Sequence, residues 1–248
     1  MKQYIKFRAT MNDYENYLAN KILEAFQESG FKVKLMQLIR DRSYKPSIYV
    51  RGKKEFTIFI NQPIIPHPIG GFIKQEYLKE SFKKFLKLTD DEVDILFKII
   101  NKYSSIVGKR TLPLIPDFVI AEGIISIREI APKEEGVLKA PGLYRIMNHI
   151  VLIIEAKNKQ SGKQENPLVG ILQIIGYRYS VKRNEKCHTL LVAENFYCDS
   201  RKLYNEIDKS GVNLPKDCFL IFNHVSNDNP KQANDFRQAL LALLMLSN

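Results

Sequence analysis

The sequence predicts an α/β domain: a mixed central sheet flanked by helices on both faces. Two observations carry that expectation. Short apolar runs of strand length, such as "EFTIFI", "HTLLVAE" and "CFLIFN", are separated by longer segments with helical periodicity. Their order is helix, strands, helical segment, strands, helix, strand, helix, strand, helix, and no linker cuts the chain in two.

Taken in order, the first helix runs from Met11 to about Gln27 and is closed by Gly30, a usual helix stop. "FKVKLMQLI" alternates and forms a strand. "SIYV" and "EFTIFI" flank "RGKK" as a hairpin, and the Pro- and Gly-rich "NQPIIPHPIGGF" is a loop. Two helices follow, over 74–88 and 90–105, with Thr89 and Glu92 placed for a capping box. "LIPDFVIA" and "GIISIREI" are expected as short strands, and "YRIMNHIVLIIEAK" as strand-rich. Asn166 and Pro167 suit the cap and first turn of a helix reaching about Lys182. "HTLLVAE" and "CFLIFN" are strands with a short helix between them. A last helix spans about Pro230 to Leu246, its apolar face in "ALLALLML". The whole chain, 1–248, is expected to form one domain, with 41–110 as an insertion or recognition subdomain.

Composition narrows the function. The chain is 45% hydrophobic and 26% charged, as an ordinary soluble globular protein is. It has no apolar run of about 18 residues, so no membrane span is expected. The start "MKQYIKFRAT" has no apolar core of a signal peptide. Cys187, Cys198 and Cys218 are too widely spaced for a Cys-x-x-Cys pair, so neither a zinc site nor a disulfide framework is indicated. A reducing cytoplasm is the expected location. The net charge of +11, from 38 basic and 27 acidic residues, favours a polyanionic partner, nucleic acid over membrane.

The chemistry concentrates in "VLIIEAKNK". Val151 to Ile154 form a buried strand that runs into Glu155, Ala156 and Lys157. Residues two apart on a strand point to the same side, so Val151, Ile153, Glu155 and Lys157 share one side. The carboxylate and ammonium therefore emerge together, with small Ala156 behind them. An earlier strand carries Asp117, just after Pro116 and just before the apolar run Phe118 to Ala121. A carboxylate beside a buried strand needs a partner.

Pro116, Asp117, Glu155 and Lys157 together resemble the PD-(D/E)xK nuclease superfamily, which includes many restriction endonucleases and recombination nucleases. The matching frame is roughly 11–40 and 111–195, the latter being the expected catalytic core. The resemblance implies a restriction-endonuclease-like core with a helical and hairpin insertion. It also implies Mg²⁺-dependent hydrolysis of DNA phosphodiesters, with Mn²⁺ able to substitute. Asp117 and Glu155 would hold the metal, with the backbone carbonyl of Ala156 as a third ligand. Lys157 would orient or deprotonate the attacking water and stabilise the transition state. A restriction or genome-defence nuclease suits this size. The alternatives are a structure-selective repair or recombination nuclease, and a nucleic-acid-binding module that keeps the fold without cutting. If Asp117 lies away from Glu155, then Glu122 or Glu129 would replace it.

Two helices bear on the same site. In "NPLVGILQIIGYRYSVK", apolar almost all round, Gln173 and Tyr177 are four apart and share a face. "QIIGY" is similar to a Gln-x-x-x-Tyr found in some branches of the superfamily. Gln173 either positions Lys157 or the phosphate, or is satisfied by nearby backbone. On the first helix Glu15 falls within the apolar stripe of Met11, Leu18, Ile22 and Phe26, whereas Glu24 falls on the solvent side. Glu15 is either an acid near the metal or a partner of Asn12 at the helix start.

Lys159 and Lys163 directly after the motif, and Tyr177 and Arg178 on the helix, are the expected nucleic-acid contacts, with Lys182 and Arg183 beyond them. Lys74, Lys79, Lys83, Lys84 and Lys87 could line the approach. "RDRSYK", "RGKK" and the Pro-rich loop are where base-reading residues are expected. A homodimer would cut both strands, and the apolar last helix could supply its interface.

Overall fold

The computed structural model describes residues 12–36, 47–65, 75–107, 114–138, 141–160, 163–164, 167–181, 184–194, 219–223 and 225–246. Helices are α1 (Asp13–Glu28), α2 (Gln75–Leu86), α3 (Asp90–Val107), α4 (Ile127–Ile130), α5 (Pro167–Ser180) and α6 (Pro230–Leu246). Strands are β1 (Lys32–Met36), β2 (Ser47–Arg51), β3 (Glu55–Ile60), β4 (Phe118–Glu122), β5 (Lys133–Glu134), β6 (Val137–Leu138), β7 (Ile150–Lys157), β8 (Lys159–Gln160), β9 (Lys163–Gln164), β10 (His188–Ala193) and β11 (Phe219–Asn223). A 3₁₀ helix, Leu143–His149, leads into β7.

The α/β expectation holds. Seven strands form one mixed sheet in the order β1-β2-β3-β4-β7-β10-β11. From β1 to β7 every pair is antiparallel, and β7, β10 and β11 are parallel. One face is covered by α2, α3, α5 and the 3₁₀ helix, which bury Phe82, Phe97, Ile174 and Ile146 against Ile153 and Leu191. The other is covered by α1 and α6, which bury Leu18, Phe26, Phe236 and Leu240 against Ile154 and Leu190. Among the described residues no helix is long and apolar enough to cross a membrane.

Local sequence explains the element ends. Asn12 opens α1 by accepting from the Glu15 N–H at 2.8 Å. Gly30, at φ +83°, closes it in the left-handed region that suits glycine. The Thr89–Glu92 capping box starts α3, each residue accepting the other's backbone N–H. The α2–α3 hairpin is laced by Lys79–Asp94 at 2.7 Å and by Lys83–Asp90.

Four expectations need correction. "GIISIREI" is not a strand; its second half is α4, because the Glu129 carboxylate accepts the Ser126 N–H and caps a helical turn. The start of "YRIMNHIVLIIEAK" lies in the 3₁₀ helix, and the strand begins only at Ile150. Residues 47–60, expected in an insertion, are internal strands of the sheet between β1 and β4. The apolar face of α6, expected at a dimer interface, packs into the chain's own core through Phe236, Leu240 and Leu244. The short helix expected between β10 and β11, "RDRSYK", Met11, Lys74, Asn166, Lys182 and Arg183 lie outside the described residues.

Candidate active site at the rim of the sheet

The strand directions bring distant residues to one rim. Asp117 immediately precedes β4, whose first residue Phe118 pairs with Ile154 of β7. Glu155 and Lys157 end β7, and Lys157 pairs with Ala193 at the end of β10. Ile60 at the end of β3 also pairs with Phe118, so Asn61 reaches the same rim. Near the α1 N-terminus, Glu15 lies beside these groups. From the other face the first turns of α5 press on Lys157.

Side chains on β7 follow the two-residue alternation from Leu152 onward. Leu152, Ile154 and Ala156 face α1 and α6, while Ile153 faces α5. Val151 departs from the expected side and joins the α1 face. The cause is a register shift opposite Ile120 and Ala121, a bulge that lets two consecutive residues face one way.

Asp117, Glu155 and Lys157 come together as expected. The Ala156 N–H donates to Asp117 Oδ2 at 2.6 Å, which ties the two strands at the site. Lys157 Nζ donates to Glu155 Oε1 at 2.5 Å. All three are nearly buried: Asp117 is 8% exposed, Glu155 2% and Lys157 8%. Burial, and then the Glu155 charge, pushes the Asp117 carboxyl well above the usual carboxylate range. Glu15 adds to that rise, whereas the Lys157 charge and the Ala156 N–H oppose it.

Glu15 is the partner of Asn12 that one reading of the sequence offered, and it also lies close to Asp117. Its Oε1 accepts from the Asn12 amide at 2.7 Å, closing the cap. Its Oε2 accepts from the Asn61 amide at 3.3 Å, and its charge reaches Asp117. Asn61 carries no chemical signature in sequence, yet its backbone N–H also donates to the Asp117 carbonyl at 2.9 Å. Its φ of +50° is one that Asn tolerates better than most residues, which is the only local signal it gives. Glu122 is exposed at the opposite end of β4, and Glu129 caps α4, so neither replaces Asp117.

The α5 side chains divide differently from expectation. Tyr177 is fully buried and donates its hydroxyl to Glu155 Oε2 at 2.7 Å, so it orients a carboxylate and does not face a nucleic acid. Burial and the Glu155 charge hold its hydroxyl protonated, making it an obligate donor. Gln173 Nε2 donates to the Tyr177 hydroxyl at 3.4 Å, and Gln173 Oε1 is a buried acceptor without a partner among the described residues. Arg178 is 1% exposed, and Nη1 donates to the carbonyls of Asn184 and Cys187 at 3.1 and 3.0 Å. It is therefore a clamp on the turn from α5 to β10, not a phosphate contact. Lys159 and Lys163 lie on a two-stranded hairpin just beyond β7, where Lys159 pairs with Gln164 and Gln160 with Lys163. Of the helix lysines, Lys79 and Lys83 are engaged by Asp94 and Asp90.

These placements set two stability predictions. Arg178→Ala takes the Nη1 donor from the Cys187 carbonyl and one of two donors from the Asn184 carbonyl, which keeps the Cys187 N–H, and opens a cavity; it should cost about 3 kcal/mol in urea denaturation. Gly170→Ala places a methyl 2.6 Å from Leu191 Cδ1 and 3.0 Å from Lys157 Cγ. Alanine gains about 1 kcal/mol of helix propensity, but overpacking costs about 1–3 kcal/mol. Net destabilisation is expected, and the same denaturation assay reads it; a stabilised variant would show that α5 can move off β7.

Among the described residues no group of three or more His, Cys, Asp or Glu side chains is arranged to hold a metal. Comparisons with family models, with curated proteins and with solved structures returned no match.

Proposed function

We propose that the chain is a Mg²⁺-dependent endonuclease that hydrolyses phosphodiester bonds in DNA. The observation that supports the reading is the meeting of Asp117 with Glu155 and Lys157 across the β4–β7 seam. These are the residues on which the resemblance to the PD-(D/E)xK nucleases rests. The donors available at the rim are carboxylate and carbonyl oxygens. That set fits Mg²⁺, which binds through one or two carboxylates and keeps waters, better than zinc, which favours His and Cys.

Asp117 and Glu155 would hold the cation, with the Ala156 carbonyl as the third protein oxygen. When bound, Mg²⁺ lowers the pKa of a water and neutralises the phosphate. Lys157 orients that water and stabilises charge on the phosphate oxygens. Tyr177 fixes Glu155 through its hydroxyl, as outer partners of metal ligands do. Gln173 holds Tyr177 and offers Oε1 as an acceptor toward the lysine or the water. Lys159 and Lys163 on the β8–β9 hairpin, with a net charge of +11, would supply phosphate affinity without sequence information. Restriction or genome defence is the biological role we assign, from size and resemblance.

One observation favours a second reading. Both Glu155 oxygens already accept protein hydrogen bonds, and the residue is 2% exposed. A non-cleaving nucleic-acid-binding module would use the same network to fasten β7 to α5. Incubation with supercoiled plasmid separates the two. The nuclease should convert it to nicked and linear forms with Mg²⁺ or Mn²⁺ and should stop on addition of EDTA. Plasmid binding without strand breaks under every divalent ion sinks the nuclease and favours the module.

A further inference from the structure

One end of the sheet has a basic face that the helices leave open. The layer formed by α2, α3, α5 and the 3₁₀ helix packs on Phe59 of β3, Val119 of β4, Ile153 of β7 and Leu191 of β10, and no described residue of β1 or β2 joins it. Val33, Ile48 and Val50 point the other way, into the core under α1 and α6. Side chains alternate along a strand, so Lys32, Lys34, Tyr49 and Arg51 stand on the open side. Lys32 pairs with Arg51 across the β1–β2 ladder, and Lys34 pairs with Tyr49. Lys32, Lys34 and Arg51 are all exposed. The Tyr49 hydroxyl donates to the Ile125 carbonyl at 2.9 Å, which marks where the covering layer stops.

Like charges directly opposite each other destabilise a sheet, and Lys32 faces Arg51 in that way. Glu55 stands opposite Arg51 on β3 and bonds its Nε at 3.1 Å, but the two side chains are 64% and 49% exposed, so the pair holds Arg51 weakly. Glu129 acts on Tyr49 from beyond, and its carboxylate is engaged in capping α4. Among the described residues no acid forms an ion pair with Lys32 or Lys34. We propose that the open β1–β2 face binds duplex DNA, with Lys32, Lys34 and Arg51 against the sugar–phosphate backbone. A polyanion relieves the like-charge pair, and the two lysines, about 7 Å apart along β1, present separate contacts to it. Lys34, Tyr49, Thr57 and Ala121 lie in register across β1 to β4. That row places Lys34 about 20 Å from Asp117, less than one duplex turn of about 34 Å. The inference rests on the reading of the chain as a DNA enzyme and adds where the DNA lies beyond the cleavage site.

Fluorescence anisotropy of a labelled duplex of about 30 base pairs, titrated with the full chain in EDTA over a range of salt, tests it. Lys32→Gln/Lys34→Gln should weaken binding by about tenfold at low salt and flatten the slope of log affinity against log salt by about 2. Thermal stability should not change, because both positions are exposed. Lys32→Arg/Lys34→Arg, which keeps the charges, should keep the parent's slope. Lys98→Gln/Lys186→Gln removes the same charge from exposed positions elsewhere and should leave the slope as it is. An unchanged slope in the first variant, or an equal change in the last, overturns the proposal. Self-association of the first variant with unchanged DNA binding also overturns it, since the lysines would then only guard a sheet edge. So does binding to phosphatidylserine vesicles that falls in the first variant while DNA binding stands. EDTA separates this outcome from that of the nuclease reading, because plasmid cleavage in Mg²⁺ is scored apart from binding without it.

Discussion

Lys157→Ala should lower Mg²⁺-dependent plasmid cleavage by about three orders of magnitude or more. The ammonium donates to Glu155 Oε1 at 2.5 Å. Its loss also removes the group that would meet the developing phosphate charge. A second effect runs alongside. Glu155 is 2% exposed, and stripping its partner leaves a buried charge, at a cost of about 3–5 kcal/mol. Lost activity could then reflect lost fold, so the single variant is not enough. Glu155→Gln/Lys157→Met neutralises both groups at similar volume and should recover most of the stability. Activity should stay absent in it. A Lys157→Ala protein that is folded by circular dichroism and still cuts within about tenfold of the parent would remove Lys157 from the chemistry.

Asp117→Asn should do the opposite to stability and the same to activity. The Asp117 carboxyl titrates well above its ordinary value in the folded chain, first through burial and then through the Glu155 charge. The folded state therefore keeps a proton that the unfolded chain releases near about pH 4. That contribution is fully present below the unfolded value and is lost as pH rises through the folded one. Above the unfolded value the parent must either hold that proton or bury a charge, each at a cost, and the asparagine variant does neither. The amide oxygen still accepts the Ala156 N–H, so the strand tie survives. Urea denaturation in EDTA should find the variant more stable at about pH 8, with the gap closing toward about pH 4. If Asp117 holds Mg²⁺ as proposed, adding the ion should stabilise the parent and not the variant. Parallel stability curves for the two proteins across that range would mean that Asp117 carries no such strain.

Much of this was legible in the chain itself. Val151 to Ile154 mark a buried strand by apolar run alone, and the acids beside such runs stand out because burial makes them costly. The capping pair Thr89 and Glu92 is local chemistry, and local chemistry is what a sequence displays. The same kind of signal misleads at 124–130, where β-branched residues suggest a strand but Ser126 and Glu129 close a helical turn. Arg178 and Tyr177 were misassigned because hydrogen bonds to Cys187, Asn184 and Glu155 depend on tertiary packing, and no spacing rule announces them. The place of 47–60 in the sheet was hidden for a related reason. A hairpin's partners beyond itself are set by the whole topology, which a strand's own residues do not encode.

The antiparallel seam between β4 and β7 has a bearing on how such a chain can diverge. Asp117 stands at the beginning of one strand and Glu155 near the finish of the other, so the peptide joining them departs and returns at the far border of the sheet. Residues can be gained or lost at the exposed turn of Glu135 and Gly136 without separating the two acids. The interval between them in the primary structure is therefore free to drift, and a pattern search that fixes it will pass over kin whose acids are arranged in the same way.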